Sequence, residues 1–460
     1  MPNRLRTRLP RGYLRMRSGA LRLLGFALSV SVLALASLVA IPAMIAASGD
    51  AAWGSIALGQ VVGTVGGVAV GYGWGWFGPA RVAQGGPTQR RQEYVESMVA
   101  RGVLAPPVSL IAAIVACSIS SNAPSFAAVG AVSATCMGLS ASWYFVGMSK
   151  PYTMLLLDTL PRAAGTAFGI LLMREGHSAV MGPLGMLVGM SVGVALSSAW
   201  ILWETKRAGA GGCERHGITG ILVANRQGIA SALGSATYAA APLAIVSVVA
   251  PGIQPAFALA DRVKGLVVVA TVPATTVLQG WVPRATGIAR RRRADAALLS
   301  AAAFALLLGV GTFLAAPDLI KWLGAGAISL SWDVILLMSA CVAVMFFQSV
   351  LERVALATFE RLRVAVIGVA CGSIIGLPLA GVLAHKLGTA GAMGGVLAGL
   401  LVCVTVELVT YRLDVGRTVL LRAGDKKGQP VHDDDKKRPH IQTLGVSNST
   451  QEPEGYSRRL

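Results

Sequence analysis

The chain has 460 residues, of which 54% are hydrophobic and only 13% are charged. Soluble domains carry about twice that share of charged residues, so the composition predicts an integral membrane protein. The formal net charge of +19 would suit nucleic-acid binding, but most basic residues lie in short segments between apolar runs, and we predict no nucleic-acid partner. Six scattered cysteines without a CxxC spacing predict neither a disulfide framework nor a metal site. We predict no cofactor.

Apolar runs long enough to cross a bilayer recur along the whole chain. The first run, Leu23–Ala47, is too long for a signal peptide and leads into further runs, so we assign it as the first transmembrane helix. The sequence therefore predicts an all-α integral membrane protein with about 12 transmembrane helices. The predicted spans are 23–47, 52–77, 102–120, 124–147, 151–173, 178–202, 228–249, 256–282, 295–315, 329–351, 362–384 and 388–411.

The basic residues alternate from one side of the membrane to the other. With the N-terminus in the cytoplasm, the inner segments hold 34 of the 40 lysines and arginines. The outer loops hold three: Arg174, Lys321 and Lys386. A missed or invented helix would reverse the alternation downstream of it, and no reversal occurs. We predict a multi-pass protein of the cell (inner, cytoplasmic) membrane with both termini in the cytoplasm, surrounded by membrane lipids.

The two halves of the chain resemble each other. Span 2 ends in GWFGPARVA, and span 8 ends in GWVPRATGIA about 205 residues later, close to the length of six spans. A duplication of six spans predicts two six-helix lobes around a central cavity that holds the binding site. The predicted segments are a basic cytoplasmic N-terminus (1–22), an N-lobe of spans 1–6 (23–202), a cytoplasmic inter-lobe linker (203–227), a C-lobe of spans 7–12 (228–411) and a disordered cytoplasmic tail (412–460).

Charged residues inside spans 5 and 8 are the candidate binding residues. A charge in the bilayer core costs about 2.5–3.5 kcal/mol on insertion scales, so it normally faces a cavity or a partner. Asp158 and Arg162 lie four residues apart on one face of span 5 and can pair. In span 8, Asp261 and Lys264 can neutralise each other, which leaves Arg262 without a local partner.

The three basic residues, Arg162, Arg262 and Lys264, offer a site for an anion in a central cavity. A guanidinium suits phosphate because its planar fork donates two hydrogen bonds at once. Two alternatives account for basic residues inside the spans without a binding site. The residues can form ion pairs between helices, or Arg262 and Lys264 can snorkel to the outer membrane interface. Pro161, beside Arg162, predicts a kink in span 5.

Other polar residues in the spans are weaker candidates. Glu407 lies near the inner end of span 12, and we interpret it as interfacial rather than proton-coupling. Gln60, Gln279 and Gln348 suit either a path for a sugar or hydrogen bonds between helices, which is the commoner use of such residues in membranes.

Three stretches together resemble the Wzx-type polysaccharide flippases of the multidrug/oligosaccharidyl-lipid/polysaccharide exporter superfamily. They are GALRLLGFALSVSVLALASLVAIPAMI in span 1, GWGWFGPARVA after span 2, and ALADRVKGLVVVATVPATTVLQGWVPRATG in span 8. The resemblance covers roughly residues 20–415. It implies two six-helix lobes, alternating access, and export of an undecaprenyl-pyrophosphate-linked oligosaccharide for cell-surface polysaccharide biosynthesis. It also implies other polysaccharide-assembly proteins as partners, and cationic cavity residues that contact the pyrophosphate, although Asp158 and Asp261 would leave such a site close to neutral.

Three alternative functions stay open. A drug/cation antiporter of the same superfamily needs unpaired carboxylates in the membrane, whereas each clear intramembrane acid here has a basic neighbour. A major-facilitator-type carrier has a GxxxDRxGRR-type inner loop, and this chain has GPARVAQGGPTQRR in its place. A membrane glycosyltransferase or polymerase needs acidic residues on a sizeable outer loop, and the longest outer loop here is about a dozen residues, Pro317–Ile328. We predict a transporter and not an enzyme.

Overall fold

The computed structural model describes residues 11–212, 217–359 and 361–425. These residues form helices joined by short connections and contain no β-strand. The helices are α1 (Arg11–Gly71), α2 (Trp74–Gln84), α3 (Pro87–Ile119), α4 (Pro124–Thr135), α5 (Ser142–Gly147), α6 (Pro151–Met154), α7 (Leu160–Arg174), α8 (Met181–Arg207), α9 (Ile218–Val249), α10 (Gln254–Ala270), α11 (Val272–Trp281), α12 (Gly287–Leu323), α13 (Trp332–Val350) and α14 (Leu362–Asp425).

The described residues contain 9 segments that are long and apolar enough to cross a membrane, and these account for eleven of the twelve spans. Two of them are double: α1 consists of two helices joined at Gly49 (φ 83°), and α14 of two joined at Gly388 (φ 64°). Glycine adopts such positive φ angles without steric cost. Span 8 is the twelfth and is not among the 9 segments, because a break at Thr271 divides it into two shorter helices, α10 with 17 residues and α11 with 10. The predicted all-α fold with about twelve spans is confirmed.

Several helices continue past the predicted limits of the spans. Helix α1 begins inside the predicted N-terminal segment, α8 and α9 extend into the predicted linker, and α14 continues beyond residue 412 to Asp425. Hydropathy marks where the apolar residues stop, whereas a helix ends only where its backbone hydrogen bonds stop. Residues 1–10, 213–216 and 426–460, which carry the rest of the predicted N-terminus, linker and tail, lie outside the described residues.

Span 5 contains a π-helical turn, Leu155–Thr159, which ends two residues before Pro161. Proline has no backbone N–H, so Pro161 leaves the carbonyl of Leu157 without its usual helical donor. The hydroxyl of Ser197 on span 6 donates to that carbonyl at 3.4 Å. At the place where the sequence predicts a kink, span 5 thus has a π-turn, and the neighbouring helix donates a hydrogen bond to the carbonyl that Pro161 leaves free.

Span 4 is broken between α4 and α5, and a buried arginine of span 3 bonds the freed carbonyls. Arg101 is 1% exposed and its Nη1 donates to the carbonyls of Gly138 (3.2 Å) and Ser140 (2.8 Å). Its guanidinium also lies 5.6 Å from the centre of the Trp143 ring. A basic residue that the charge pattern assigns to an inner segment thus stabilises an irregular helix inside the N-lobe.

Spans 2 and 4 pack with their backbones in contact. A Cβ atom at Gly59 would overlap the carbonyl oxygen of Ala127, and one at Gly63 would overlap that of Ala131. Small residues at such positions permit close helix association in lipid, where apolar burial alone gives little drive. This contact holds span 2 against the rest of the N-lobe, which positions the face of span 2 that carries Gln60.

We expect Gly63→Ala to destabilise the protein by about 1–3 kcal/mol, the usual cost of overpacking. The matched control is Gly102→Ala, because a Cβ at Gly102 meets no atom within 4 Å. Thermal unfolding of the purified protein in detergent measures both. Equal melting temperatures for the two variants would contradict the close packing of spans 2 and 4.

Candidate functional site

A cavity of about 220 Å³ lies in the N-lobe. Spans 1, 2, 4, 5 and 6 supply its walls, and the C-lobe contributes Arg262 of span 8. The lining contains two arginines and no carboxylate side chain. The lining residues are Leu33, Ser37, Ala40, Met44, Gln60, Val61, Thr64, Ala134, Met137, Arg162, Thr166, Gly182, Met186 and Arg262.

Arg162 lines the cavity and has an acidic partner behind it. Its Nη1 lies 3.3 Å from Oδ2 of Asp158, one helical turn earlier. Asp158 is 1% exposed, is absent from the lining, and accepts a second hydrogen bond from Ser140 Oγ at 2.8 Å. A buried charge is tolerated only when it is paired and hydrogen-bonded. Asp158 therefore balances the positive charge of Arg162 from behind, and Arg162 still lines the cavity.

Close packing of spans 5 and 6 restricts where the Arg162 side chain can go. A Cβ atom at Gly189 of span 6 would lie 2.9 Å from Cα of Arg162, and Gly165 and Gly185 form a similar close contact. No side chain fits between the two helices at this level. The arginine accordingly lines the cavity on the other side of span 5.

Arg262 lines the same cavity and is exposed to it. Its Nη2 donates to Oε1 of Gln60 at 2.8 Å, a contact between side chains 202 residues apart. Among the residues that the structure describes, no carboxylate forms an ion pair with it, because the adjacent Asp261 pairs with Lys264 at 2.6 Å. Arg262 is thus a cation with a neutral partner, which is the arrangement that leaves its charge available to a ligand.

The other two predicted binding residues lie elsewhere. Lys264 is 7% exposed and, like Asp261, is absent from the cavity lining. Their 2.6 Å contact is an i,i+3 ion pair within span 8. The structure therefore brings Arg162 and Arg262 to one cavity, places Asp158 behind the first, and sets Asp261 and Lys264 apart as a pair.

Several polar residues of the site were not predicted. Thr166 lies one turn from Arg162 and shares its face, so helical spacing alone would have indicated it. Thr64 stands in the same relation to Gln60. Ser140, the second partner of Asp158, carries no such signal, because it lies at the break in span 4 and reaches Asp158 only in the folded lobe.

Glu407, interpreted above as interfacial, is buried between helices. Its side chain is 0% exposed and packs in the C-lobe near Glu352 and Cys403. No basic residue of the described ranges forms an ion pair with either carboxylate, whereas Asp158 and Asp261 each have the basic partner that the sequence predicts. A position near the end of a span does not reveal which way the residue faces, and Glu407 faces other helices.

Direct contacts join the two lobes at the end that the charge pattern assigns to the outside. Nε2 of Gln254 donates to the carbonyl of Gly54 at 2.9 Å, and Nδ2 of Asn122 donates to that of Pro251 at 3.4 Å. A buried apolar cluster that includes Trp53 and Phe257 contains residues from both lobes. The lobes are closed against each other at this end.

Comparison with solved structures identifies the fold. An inward-facing multidrug resistance MATE family transporter of the MOP superfamily superimposes with a TM-score of 0.61 and 14% identity, over 86% of this chain and 96% of that one. An outward-facing MATE family transporter of the same superfamily superimposes with a TM-score of 0.52 and 13% identity, over 86% of this chain and 95% of that chain. A mutant MATE transporter from Vibrio cholerae superimposes with a TM-score of 0.51 and 14% identity, over 87% of this chain and 97% of that chain. No family model and no curated protein matches the sequence.

The chain therefore has the same fold as the MATE transporters, and its long apolar helices make it a multi-pass membrane protein. The higher TM-score of the inward-facing structure agrees with the lobe contacts described above. The same likeness gives no support to a major-facilitator carrier or to a membrane glycosyltransferase.

We expect Asp158→Asn to lower stability by about 3–5 kcal/mol, because it removes one partner of a buried ion pair and leaves the Arg162 charge unbalanced. Asp295→Asn is the control, since the side chains of Arg291 and Asp295 are 31% and 41% exposed in their pair and water screens its loss. Thermal unfolding in detergent compares the two variants. A loss for Asp295→Asn as large as that for Asp158→Asn would contradict this account of span 5.

Proposed function

We propose that this protein is an alternating-access exporter of the cell inner membrane. Its cargo is a polyprenyl-pyrophosphate-linked oligosaccharide, carried from the inner to the outer leaflet for cell-surface polysaccharide biosynthesis. The observation that carries the proposal is the cavity lining, which has two arginines and no carboxylate among its residues. The MATE fold supports transport, and the resemblance of the sequence to Wzx-type flippases supports the lipid-linked substrate.

The charge of the cavity favours an anion. Asp158 balances Arg162, whereas Arg262 has only the neutral Gln60 as its described partner. A net positive charge in a site shielded from bulk water attracts a phosphate and repels a cationic drug. A pyrophosphate can also replace Gln60, because charge-assisted hydrogen bonds contribute about 1.5–3 kcal/mol and neutral ones about 0.5–1.5 kcal/mol.

The size of the cavity fits part of such a substrate. Sites for drug-sized ligands usually occupy about 300–1,000 Å³, whereas this cavity has about 220 Å³. It accommodates a diphosphate group, for which the hydroxyl of Ser37 is an additional donor. The hydroxyls of Thr64 and Thr166 donate to the carbonyls of Gln60 and Arg162 one turn earlier. The glycan then occupies the space between the lobes and the lipid tail stays in the bilayer while the lobes rock.

Export of a cationic drug is the second candidate, and one observation favours it. Glu352 and Glu407 form a carboxylate pair in the C-lobe with no basic partner in the described part of the chain. Such a pair suits a drug/cation antiporter, and the MATE neighbours named above are described as multidrug resistance transporters. The positive cavity of the N-lobe argues against this candidate.

Arg262→Ala is expected to weaken substrate binding by about 10–150-fold, the equivalent of losing 1.5–3 kcal/mol of charge-assisted hydrogen bonding. Arg262→Lys keeps the charge but loses the planar fork, so its defect should be intermediate. Surface polysaccharide and accumulated lipid-linked oligosaccharide are measured in a deletion strain complemented with each variant. Arg174→Ala, an exposed arginine outside the cavity lining, is the control and should behave as wild type.

The deletion strain itself decides between the two candidates. Loss of polymer together with accumulation of the lipid-linked intermediate supports the flippase. Normal polymer with sensitivity to cationic drugs would overturn it in favour of the antiporter. Full complementation by Arg262→Ala at wild-type protein level would remove the substrate site from this cavity.

A disulfide between Gly54→Cys and Pro255→Cys should block transport by holding the lobes closed. A Cβ at Gly54 lies 3.3 Å from Cβ of Pro255, close to the roughly 3.5–4.5 Å that a disulfide requires. Oxidation should stop polymer export and a reductant should restore it, while export by the Pro255→Cys single variant should respond to neither treatment. Normal export by the cross-linked protein would exclude alternating access at this contact.

A further inference from the structure

Four side chains of the C-lobe form a cluster that the cavity and its arginines do not use. Gln348 and Glu352 come from span 10, and Cys403 and Glu407 from span 12. Cys403 Sγ lies 3.1 Å from Glu407 Oε1. One ligand atom from each of Glu352, Cys403 and Glu407 can be chosen so that all lie within 4.8 Å of one another. The cluster therefore combines two carboxylates and a thiol.

The cluster has more acceptors than donors. Nε2 of Gln348 faces Glu352 Oε1 at 2.9 Å, Cys403 Sγ at 3.1 Å and Glu407 Oε1 at 3.5 Å, but an amide nitrogen carries only two hydrogens. Glu407 is 0% exposed, and its Oε2 has no hydrogen-bond partner. An unpartnered buried carboxylate oxygen is costly. Among the side chains that the structure describes, none supplies a positive charge paired with these carboxylates.

The backbone around the cluster is adapted to hold it. Glu352 lies in a π-helical turn, Leu351–Leu356, at the end of span 10, and such turns occur frequently at functional sites. On span 11, a Cβ atom at Gly368 would lie 2.8 Å from Cγ of Glu407. The glycine leaves the space that the Glu407 side chain occupies between spans 10, 11 and 12.

We propose that Glu352, Cys403 and Glu407 bind one divalent transition-metal ion of the zinc class. Zn²⁺ accepts both sulfur and carboxylate ligands, whereas Mg²⁺ and Ca²⁺ take oxygen. With Zn–S and Zn–O bonds of about 2.3 and 2.1 Å, a tetrahedral ion separates its sulfur and oxygen ligands by roughly 3.6 Å. The ligand atoms here, with a shortest S···O distance of 3.1 Å and all within 4.8 Å, fit that geometry after small shifts.

Gln348 supplies a fourth ligand. The oxygen and nitrogen of a glutamine amide are interchanged by a half-turn of its terminal bond, and their assignment follows the hydrogen-bond network. With a cation in the cluster, the amide oxygen takes the place of Nε2 and faces the ion. Glu352 is partly exposed, which gives the ion a route into the cluster.

Metal binding at this place has two chemical consequences. The thiol of Cys403 loses its proton when it becomes a ligand, so binding releases protons and weakens as the pH falls. The ion also joins spans 10 and 12. The site lies in the C-lobe and shares no residue with the cavity lining, so its occupancy can be tested independently of the transported substrate.

Co²⁺ added to the full-length, tag-free protein in detergent tests the proposal. We expect one Co²⁺ per chain, with a thiolate-to-cobalt charge-transfer band that Zn²⁺ abolishes on displacing the cobalt. Cys403→Ser should remove the band. Cys371→Ser, a control in neighbouring span 11 outside the cluster, should retain it. Glu407→Gln should weaken Zn²⁺ binding by more than the roughly 10–100-fold cost of losing an outer-shell partner.

A second measurement guards against variants that do not fold. Zn²⁺ should raise the melting temperature of the wild-type protein and of Cys371→Ser, and leave that of Glu407→Gln unchanged. The proposal is overturned if wild type shows no stoichiometric band, or if the band survives in folded Cys403→Ser. In either case Cys403 is not a ligand and the proposed site does not exist.

Discussion

The cost of holding ionised side chains away from water decides how the charged residues of this protein are arranged. A charge in the bilayer region must be paired, or must face a cavity. Asp158 and Arg162 meet the condition as a buried pair that Ser140 completes. Asp261 and Lys264 meet it as a pair within one helix. Arg262 meets the condition in the other way, because it faces a cavity and bonds a neutral amide. Among the described cations of spans 5 and 8, Arg262 alone has no carboxylate partner, and it is therefore the one best placed to bind a ligand.

That arrangement depends on helices that approach each other very closely. Glycines at the contact of spans 5 and 6 leave no room for a side chain, so Arg162 lies on the cavity side of its helix. Gly63 has the same effect between spans 2 and 4 and thereby sets the position of Gln60. The polar site is consequently held by backbone-to-backbone packing, which changes little unless a whole helix moves.

The Arg262–Gln60 contact also joins the two lobes, since Gln60 belongs to span 2 and Arg262 to span 8. A ligand that takes the place of Gln60 would loosen one of the contacts between the lobes, next to the closed end marked by Gln254 and Gly54. Binding and opening are thereby coupled in the proposed mechanism through a single side chain. A differential interaction of this kind is what a ligand needs in order to shift a conformational equilibrium.

From the sequence alone we could determine the all-α fold with about twelve spans and the local pairs Asp158–Arg162 and Asp261–Lys264, whereas the side of the membrane that each loop faces stays a prediction. Each depends on composition or on residues within one turn of each other, which helical geometry brings together whatever the rest of the chain does. Only the tertiary structure decided that Arg162 and Arg262 share a cavity, that Gln60 bonds Arg262, and that Glu407 is buried beside Glu352. These contacts depend on the rotation and packing of helices 50 to more than 200 residues apart. A hydropathy pattern records how apolar a helix is, but not which neighbour each of its faces contacts.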